Sequence, residues 1–173
     1  MLIDEFMPRF DFRETHDISI GATAKDVFRT LNEIDFCESF IVRWLLRLRG
    51  MSAANVTLKE LRKLRFETLG ECENREILLG LAGKFWTING SLQKVDSSNF
   101  REFNEKGFAK AVWDFSLDEL AGGTVLTTET RIKCLDSESR KSFGFYWTFI
   151  RPFSGLIRRE MLKLIKIKAE SLN

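Results

Sequence analysis

Apolar and polar side chains alternate along residues 10–20, as they do in a β-strand with one buried face. One face of this segment is uniformly polar and is expected to lie in water. The other face is apolar except for Glu14 and His16, which point the same way because they are two residues apart. The pattern predicts a first strand that carries a carboxylate and an imidazole on its inner face.

Two short amphipathic helices are predicted after this strand. Gly21 ends the strand, and residues 23–26 (Thr-Ala-Lys-Asp) match a helix-capping pattern. Apolar side chains then recur at helical spacing as far as Ile34. A second helix is predicted from Asp35 to Leu48, with Gly50 as its end.

Strand-like segments follow from about Leu64, after one or two helical turns at residues 58–64. Segments 65–69 and 75–82 flank a plausible hairpin turn, and two short strands are predicted at 91–95 and 99–103. The clearest hairpin joins 107–117 to 124–135 across a glycine turn. The face of its first strand that we assign to the protein interior carries small and apolar residues: Ala109, Ala111, Trp113, Phe115 and Leu117.

A helical period returns at Asp136 and continues to the end of the chain. Asp136 or Ser137 is expected to cap this helix. Pro152 and Gly155 are expected to kink or interrupt it. Strands in succession with helices at both ends predict an α+β fold, in which a curved antiparallel sheet of about seven strands wraps around the long C-terminal helix.

Composition supports one folded domain over residues 1–173, with residues 1–9 as an N-terminal extension. Hydrophobic residues make up 44% and charged residues 30%, which excludes intrinsic disorder. Among the aromatic residues are 16 phenylalanines against 4 tryptophans and 1 tyrosine, so much apolar lining is available with few polar groups.

Charge separates the C-terminal helix from the rest of the chain. The net charge of +2 does not indicate a nucleic-acid partner. Residues 137–173 nevertheless carry eight basic and three acidic residues. This excess fits an anionic surface or partner protein, with Arg159, Lys163 and Lys166 as the docking residues. A solvated helix face gives the same excess and is the more common cause of such a pattern.

Several classes of protein are not indicated. Cys37, Cys72 and Cys134 are widely spaced, so neither a disulfide framework nor a zinc site is expected, and reduced, buried thiols are predicted. No cofactor or metal is expected. The chain shows no signal peptide and no run of about 20 apolar residues that would span a membrane. These features predict a cytoplasmic protein, monomeric or homodimeric, without a nucleic-acid partner.

Three segments carry a resemblance to a known family. They are residues 16–28 (HDISIGATAKDVF), residues 108–115 (FAKAVWDF), and the glycine turn leading into 124–131 (TVLTTETR) before a long helix. Together they resemble the START-like or SRPBCC superfamily (birch-pollen-allergen-like, polyketide cyclase-like) over residues 10–170. The resemblance implies a helix-grip fold with a cavity; members include lipid and hormone carriers, polyketide cyclases and dehydrases, and quinone-binding proteins. Residues 146–155 (YWTFIRPFSG) resemble a narrower, uncharacterised subgroup to which no activity attaches.

The candidate catalytic groups are Glu14 and His16, the only histidine. A carboxylate beside an imidazole in an apolar cavity can act as general acid or base. The same pair on an edge strand can instead be a hydrogen-bonded structural anchor. No serine-hydrolase motif or metal-ligand spacing accompanies it.

The aromatic residues form the second constellation. Trp113 and Phe115 on a strand and a helical stripe are expected to face one space, with hydroxyls from the neighbouring strand. The predicted ligand-binding residues are His16, Trp113, Phe115, Thr128, Thr130, Phe143, Tyr146, Trp147 and Ile150. They form either a pocket with few polar groups or a closed core.

Three functions follow from these features. The first is the binding of a hydrophobic or aromatic small molecule (lipid, quinone or polyketide-like) between the sheet and the C-terminal helix. The second is a cyclase- or dehydratase-like enzyme that uses Glu14 or His16 for proton transfer, although binding without catalysis is favoured. The third is a docking module that uses the basic face of the last helix.

Overall fold

The structure is a computed structural model and describes residues 1–39, 42–43, 57–61, 66–87 and 90–172. The helices are α1 (Leu2–Phe6), α2 (Ala24–Glu33), a 3-10 helix (Phe36–Glu38), α3 (Leu58–Leu61) and α4 (Ser137–Glu170). The strands are β1 (Phe12–Ile20), β2 (Glu67–Cys72), β3 (Glu76–Gly83), β4 (Ala109–Leu120) and β5 (Gly123–Cys134). The predicted α+β class, with an antiparallel sheet and a long C-terminal helix, is confirmed.

The strands form one antiparallel sheet in the order β1-β5-β4-β3-β2, so that β1 is an edge strand. β1 pairs with β5 without a register shift, from Phe12 opposite Ile132 to Ile20 opposite Thr124. The predicted β4–β5 hairpin is confirmed. Its turn contains Gly122, whose φ of 99° is a conformation that favours glycine.

The predicted number of strands is too high, because the described residues contain five instead of about seven. Segment 91–95 makes only an isolated bridge, from Gln93 to Ala82. Segment 99–103 lies in turns and loop. The side chain of Asp96 accepts hydrogen bonds from the backbone N–H groups of Ser98 and Asn99, and this local turn chemistry replaces the predicted strand.

The first predicted helix is confirmed as α2, and the Thr23 hydroxyl accepts a hydrogen bond from the Asp26 N–H at its start. The second predicted helix begins instead as the short 3-10 helix, with the Asp35 carboxylate bonded to the Cys37 N–H. Residues 42–43 are helical, and the remainder of the prediction between residues 40 and 50 lies outside the described residues.

Helix α4 runs for 34 residues without interruption through Pro152 and Gly155. Of the predicted kink or interruption, the interruption is wrong and the kink stays a prediction. A proline removes only one backbone donor, and buried side chains on both sides of it, such as Phe143 and Ile157, hold the two halves of the helix in place. Asp136 is the N-cap, as predicted. Hydrogen bonds from the backbone of Ser139 and Gly107 keep the pKa of Asp136 below its usual value.

The sheet is covered on both faces. Its inner face packs against α2 and the second half of α4, where Phe115 and Leu126 meet Leu31, Met161 and Ile165. Its outer face packs against α1 through side chains including Ile3, Met7, Leu78, Val112 and Phe100. Helix α4 therefore lies along the inner face beside the edge strand β1, and this contact forms the candidate site.

Candidate functional site

A groove with a volume of about 600 Å³ lies between β1 and the middle of α4. Strand β1 contributes four consecutive residues, whose side chains point alternately to its two faces. Helix α4 contributes residues that are spread over about two turns. The lining residues are Arg13, Glu14, Thr15, His16, Arg151, Pro152, Gly155 and Arg159. Both candidate catalytic residues therefore lie at this groove.

Glu14 and His16 form a hydrogen-bonded pair at the base of the groove. Both face inward, as the alternation of β1 predicts, and Glu14 Oε1 lies 3.1 Å from His16 Nε2. The Glu14 side chain is only 6% exposed, whereas His16 retains 20%. A buried carboxylate next to a more accessible imidazole suits proton transfer, and it equally suits an anchor at the edge of the sheet.

The second carboxylate oxygen of Glu14 is able to accept further hydrogen bonds. Oε2 is buried and has no hydrogen-bond partner within the described part of the chain, and its ion-pair contact with Arg158 Nε is at 3.9 Å. Thr130 lies directly opposite Glu14 in the β1–β5 register, and its buried hydroxyl oxygen also has no hydrogen-bond partner among those residues. Residues that pair directly across two strands share one face of the sheet. Glu14 Oε2 and Thr130 Oγ1 are therefore two buried oxygens on the same face that lack hydrogen-bond partners within the described residues.

Gly155 allows α4 to approach this pair closely. A Cβ atom at Gly155 would lie 2.8 Å from Glu14 Oε1 and 3.3 Å from His16 Nε2. Any side chain larger than hydrogen would therefore have to displace the carboxylate or the helix. The sequence pattern marked Gly155 only as a helix breaker, because the close approach of α4 to β1 is set by tertiary packing.

Positive charge surrounds the groove. Arg151 and Arg159 lie two turns apart on α4, and the Arg159 Nε donates to the Gly155 carbonyl at 3.2 Å. Arg13 reaches from β1 and forms an ion pair with Glu129 at 2.8 Å. Arg158 lies 4.6 Å above the Trp113 ring on the inner side. Arg13, Arg151 and Arg158 were not predicted, because their convergence depends on how α4 is placed against β1.

The predicted aromatic residues fall into two packed clusters. Phe143 is buried and contacts Phe12, Phe85, Trp86, Tyr146 and Trp147, all with ring centroids within 6 Å. Trp113 and Phe115 belong to the separate core beneath α2 and α4. Ile150 is half-buried. Of the nine predicted ligand-binding residues, only His16 lines the groove, and Thr130 lies opposite its Glu14.

Thr128 is already engaged within the protein. Its hydroxyl accepts a hydrogen bond from Trp113 Nε1 at 2.7 Å and donates to the Asp114 carbonyl at 3.0 Å. The Trp113 indole N–H and the Thr128 hydroxyl therefore both have hydrogen-bond partners within the protein. Their predicted contact with a ligand stays a prediction.

The three predicted docking residues also make contacts within the chain. Lys163 pairs with Glu160 at 2.9 Å, and Lys166 donates to the Ser19 carbonyl at 2.7 Å. Arg159 lines the groove. The predicted docking face is therefore partly used to attach α4 to its own surroundings.

Cysteine placement corrects one expectation. Cys37, Cys72 and Cys134 are free thiols, but Cys72 is exposed at the end of β2, although burial of all three is predicted. Burial raises the pKa of the Cys134 thiol to about 12. Within the described residues, no group of three or more His, Cys, Asp and Glu side chains could hold a metal ion, and no helix is long and apolar enough to cross a membrane.

Comparison with known proteins finds similarity only among solved structures. No family model and no curated protein matches the sequence. TTHA0849 from Thermus thermophilus is similar over 94% of this chain and 99% of its own, with 8% identity and a TM-score of 0.41.

Two further structures were found. The di-domain ARO/CYC BexL from the BE-7585A biosynthetic pathway is similar over 92% of this chain and 50% of its own, with 17% identity and a TM-score of 0.39. Ara h 8.0201 is similar over 89% and 97%, with 7% identity and a TM-score of 0.31. These likenesses transfer no ligand or activity to this chain. Its own structure defines an α+β protein of helix-grip arrangement, with a basic groove over a buried Glu-His pair.

Proposed function

We propose that the protein binds a small hydrophobic or aromatic molecule, of lipid, quinone or polyketide-like type, which carries a hydroxyl group and an acidic group. The ligand occupies the groove between β1 and α4. The observation that carries the proposal is the coincidence of two buried oxygens without hydrogen-bond partners in the described part of the chain, Glu14 Oε2 and Thr130 Oγ1, next to this groove.

The cost of leaving these atoms unpaired supports a ligand. An unsatisfied buried polar group costs about 1–3 kcal/mol, so native proteins rarely keep two of them together. A ligand hydroxyl can donate to the Glu14 carboxylate, and it can accept from the Thr130 hydroxyl. Such a ligand would satisfy both oxygens and thereby stabilise the folded protein.

Size and charge support the remainder of the proposal. A volume of about 600 Å³ lies within the range of sites for small organic molecules. Arg151 and Arg159 border the groove and can pair with a carboxylate or sulfonate. Pro152 and the aliphatic stems of the arginines offer apolar contact to the body of the ligand.

The test uses 8-anilinonaphthalene-1-sulfonate, which combines aromatic rings with an acidic group. Fluorescence titration should give saturable binding that weakens about tenfold when Arg151 and Arg159 are both changed to Gln. Lys141→Gln, an exposed cation outside the groove, is the matched control. Equal affinity of the wild type and the double variant would reject the acidic-group contact.

A second experiment tests the hydroxyl contact and identifies the ligand. Native mass spectrometry of the purified protein should detect a retained small molecule. Thr130→Val should reduce its occupancy, whereas Thr127→Val, on the opposite face of the same strand, should not. A wild-type protein that retains nothing and binds no dye would remove the proposal.

A second candidate function is catalysis by the Glu14–His16 pair. It is supported by the 3.1 Å contact between the pair at the groove, since a carboxylate beside an imidazole can act as a general base. Incubation of the retained molecule with the protein should then give a product lighter by one water, as in a dehydration. His16→Gln should abolish this conversion and retain binding. Conversion at the wild-type rate in that variant would exclude the catalytic role.

A further inference from the structure

One face of helix α4 exposes a continuous row of large apolar side chains, which we call the phenylalanine stripe. Its members are Phe145, Phe149, Phe153 and Leu156, which are 71%, 59%, 45% and 40% exposed. The spacing of i, i+4, i+8 and i+11 keeps them on one side of the helix. The Phe145 and Phe149 rings are in contact, with centroids 5.0 Å apart. The stripe points away from the core side of the helix, where Phe143 and Ile157 are buried.

The charged residues in the same stretch of the helix are all basic. No aspartate or glutamate occurs between Ser139 and Arg159, and five cations do: Arg140, Lys141, Arg151, Arg158 and Arg159. Arg140, Lys141, Arg151 and Arg159 are exposed. Arg140 pairs with Asp11 at 3.4 Å, and residues 137–173 as a whole keep an excess of eight basic over three acidic residues. An apolar row accompanied by an excess of positive charge is the composition of a helix that lies in the interface of an anionic membrane.

Charge also argues against the alternative occupant, a second copy of the chain. A two-fold contact places the same patch of both copies face to face. The stripe of one copy would then bring Lys141 and Arg159, which lie one turn from Phe145 and Leu156, close to the same cations of the other copy. An anionic lipid surface instead neutralises these charges while the phenylalanine rings leave water.

We propose that α4 docks on an anionic lipid bilayer through the phenylalanine stripe, with Phe145, Phe149 and Phe153 at the boundary between headgroups and acyl chains. Lys141 and Arg159, which flank the stripe, contact the lipid headgroups. This function goes beyond ligand binding and uses the phenylalanine stripe and its two flanking cations, of which only Arg159 also borders the groove. Because Arg151, Pro152 and Arg159 belong to the same part of the helix, docking would bring the mouth of the groove next to the membrane.

Vesicle cosedimentation tests the proposal. The wild type should bind vesicles of phosphatidylcholine mixed with phosphatidylglycerol, and bind vesicles of phosphatidylcholine alone at least about tenfold more weakly. Replacing Phe145, Phe149 and Phe153 together by Ser should reduce binding to the anionic vesicles by at least about tenfold. Because these side chains are exposed, the variant should keep the circular dichroism spectrum of the wild type.

The matched control replaces exposed apolar side chains outside α4, Leu120 and Leu172, by Ser, and this variant should bind as the wild type does. Lys141→Glu should weaken binding several-fold, and added salt should reduce that difference. Equal binding by the triple serine variant would overturn the proposal. So would a wild-type dimer that ignores vesicles and that the triple variant converts to monomer by light scattering, since the stripe would then bind a second copy.

Discussion

At the scale of single residues, Asp114 is a carboxylate in surroundings that disfavour its charged form. It is fully buried on β4, and its side chain faces the outer layer of the protein, near Glu76 and Glu129. Burial, followed by the negative charge of Glu76, raises its pKa to about 8. The folded protein therefore holds a proton on Asp114 that the unfolded chain, with an ordinary carboxyl pKa, has released at neutral pH.

This proton makes stability depend on pH. Between about pH 4 and pH 8 the folded state binds more protons than the unfolded state, so the free energy of unfolding falls as pH rises. Asp114→Asn, which cannot ionise, should remove this contribution. Thermal unfolding at about pH 5 and pH 8 should show a melting temperature that falls by several degrees in the wild type and by less in the variant.

The control for this experiment is Asp118→Asn, an exposed residue on the same strand, which should retain the wild-type dependence. If the melting temperature falls equally between the two pH values in the Asp114→Asn variant and in the wild type, Asp114 does not hold the proton. The result does not depend on the groove, because Asp114 and Glu14 lie in different layers of the fold.

Residue-level prediction succeeded where one strand decides the outcome. Alternation along β1 was sufficient to bring Glu14 and His16 to the inner face. It could not reveal Gly155 or Arg158 as their neighbours, because that contact depends on how far α4 slides and rotates against β1. The helical spacing of the residues around Phe143 could not distinguish a cavity from packed rings either, since Phe85 and Trp86, which contact Phe143, lie in a distant segment of the sequence.

At the scale of the elements, two glycines in α4 have opposite roles. Gly144 has room for a side chain, because a Cβ there would lie 3.5 Å from the Phe12 ring, an ordinary contact. Gly155 has none, because its Cβ would lie 2.8 Å from the Glu14 carboxylate. One glycine is an avoidable cost to helix stability, and the other is required by the contact between α4 and β1.

Alanine at each position separates these roles. Gly144→Ala should raise the free energy of unfolding by about 0.5–1 kcal/mol, since alanine loses less conformational freedom in a helix. Gly155→Ala should not show this gain. Its free energy of unfolding should be lower than that of Gly144→Ala, because the added methyl group must displace the Glu14 carboxylate. Urea unfolding of both variants measures the difference; equal gains would mean that the Glu14 carboxylate can move without cost.

Element-level prediction depended on whether local chemistry was decisive. The β4–β5 hairpin has a glycine turn and long alternating strands, so its pairing was predictable. In the strands predicted around residues 91–103, alternation produced only the bridge from Gln93 to Ala82, and the turn at Asp96 prevailed. Helix α4 continues through Pro152 because its buried contacts on both sides offset one lost hydrogen bond.

At the scale of the whole molecule, the N-terminal residues complete the second layer of the fold. Ile3 and Met7 are buried against the outer face of the sheet, where they meet Leu78 and Val112. Arg131 fixes this contact, because its Nη1 donates to the Met7 carbonyl at 3.1 Å and pairs with Asp4 at 2.8 Å. Residues that were predicted to be an extension thus cover the apolar side chains that face away from α4.

The importance of this layer can be measured with Ile3→Ala. Ile3 is fully buried, so its truncation should cost about 2–5 kcal/mol in the free energy of unfolding. Leu120→Ala, at the exposed end of β4, should change it by no more than about 0.5 kcal/mol. Because α1 and the groove lie on opposite faces of the sheet, Ile3→Ala should leave dye affinity unchanged under folding conditions. A loss of dye affinity in a variant that remains folded would show that the outer layer determines the shape of the groove, which would then be a property of both layers together.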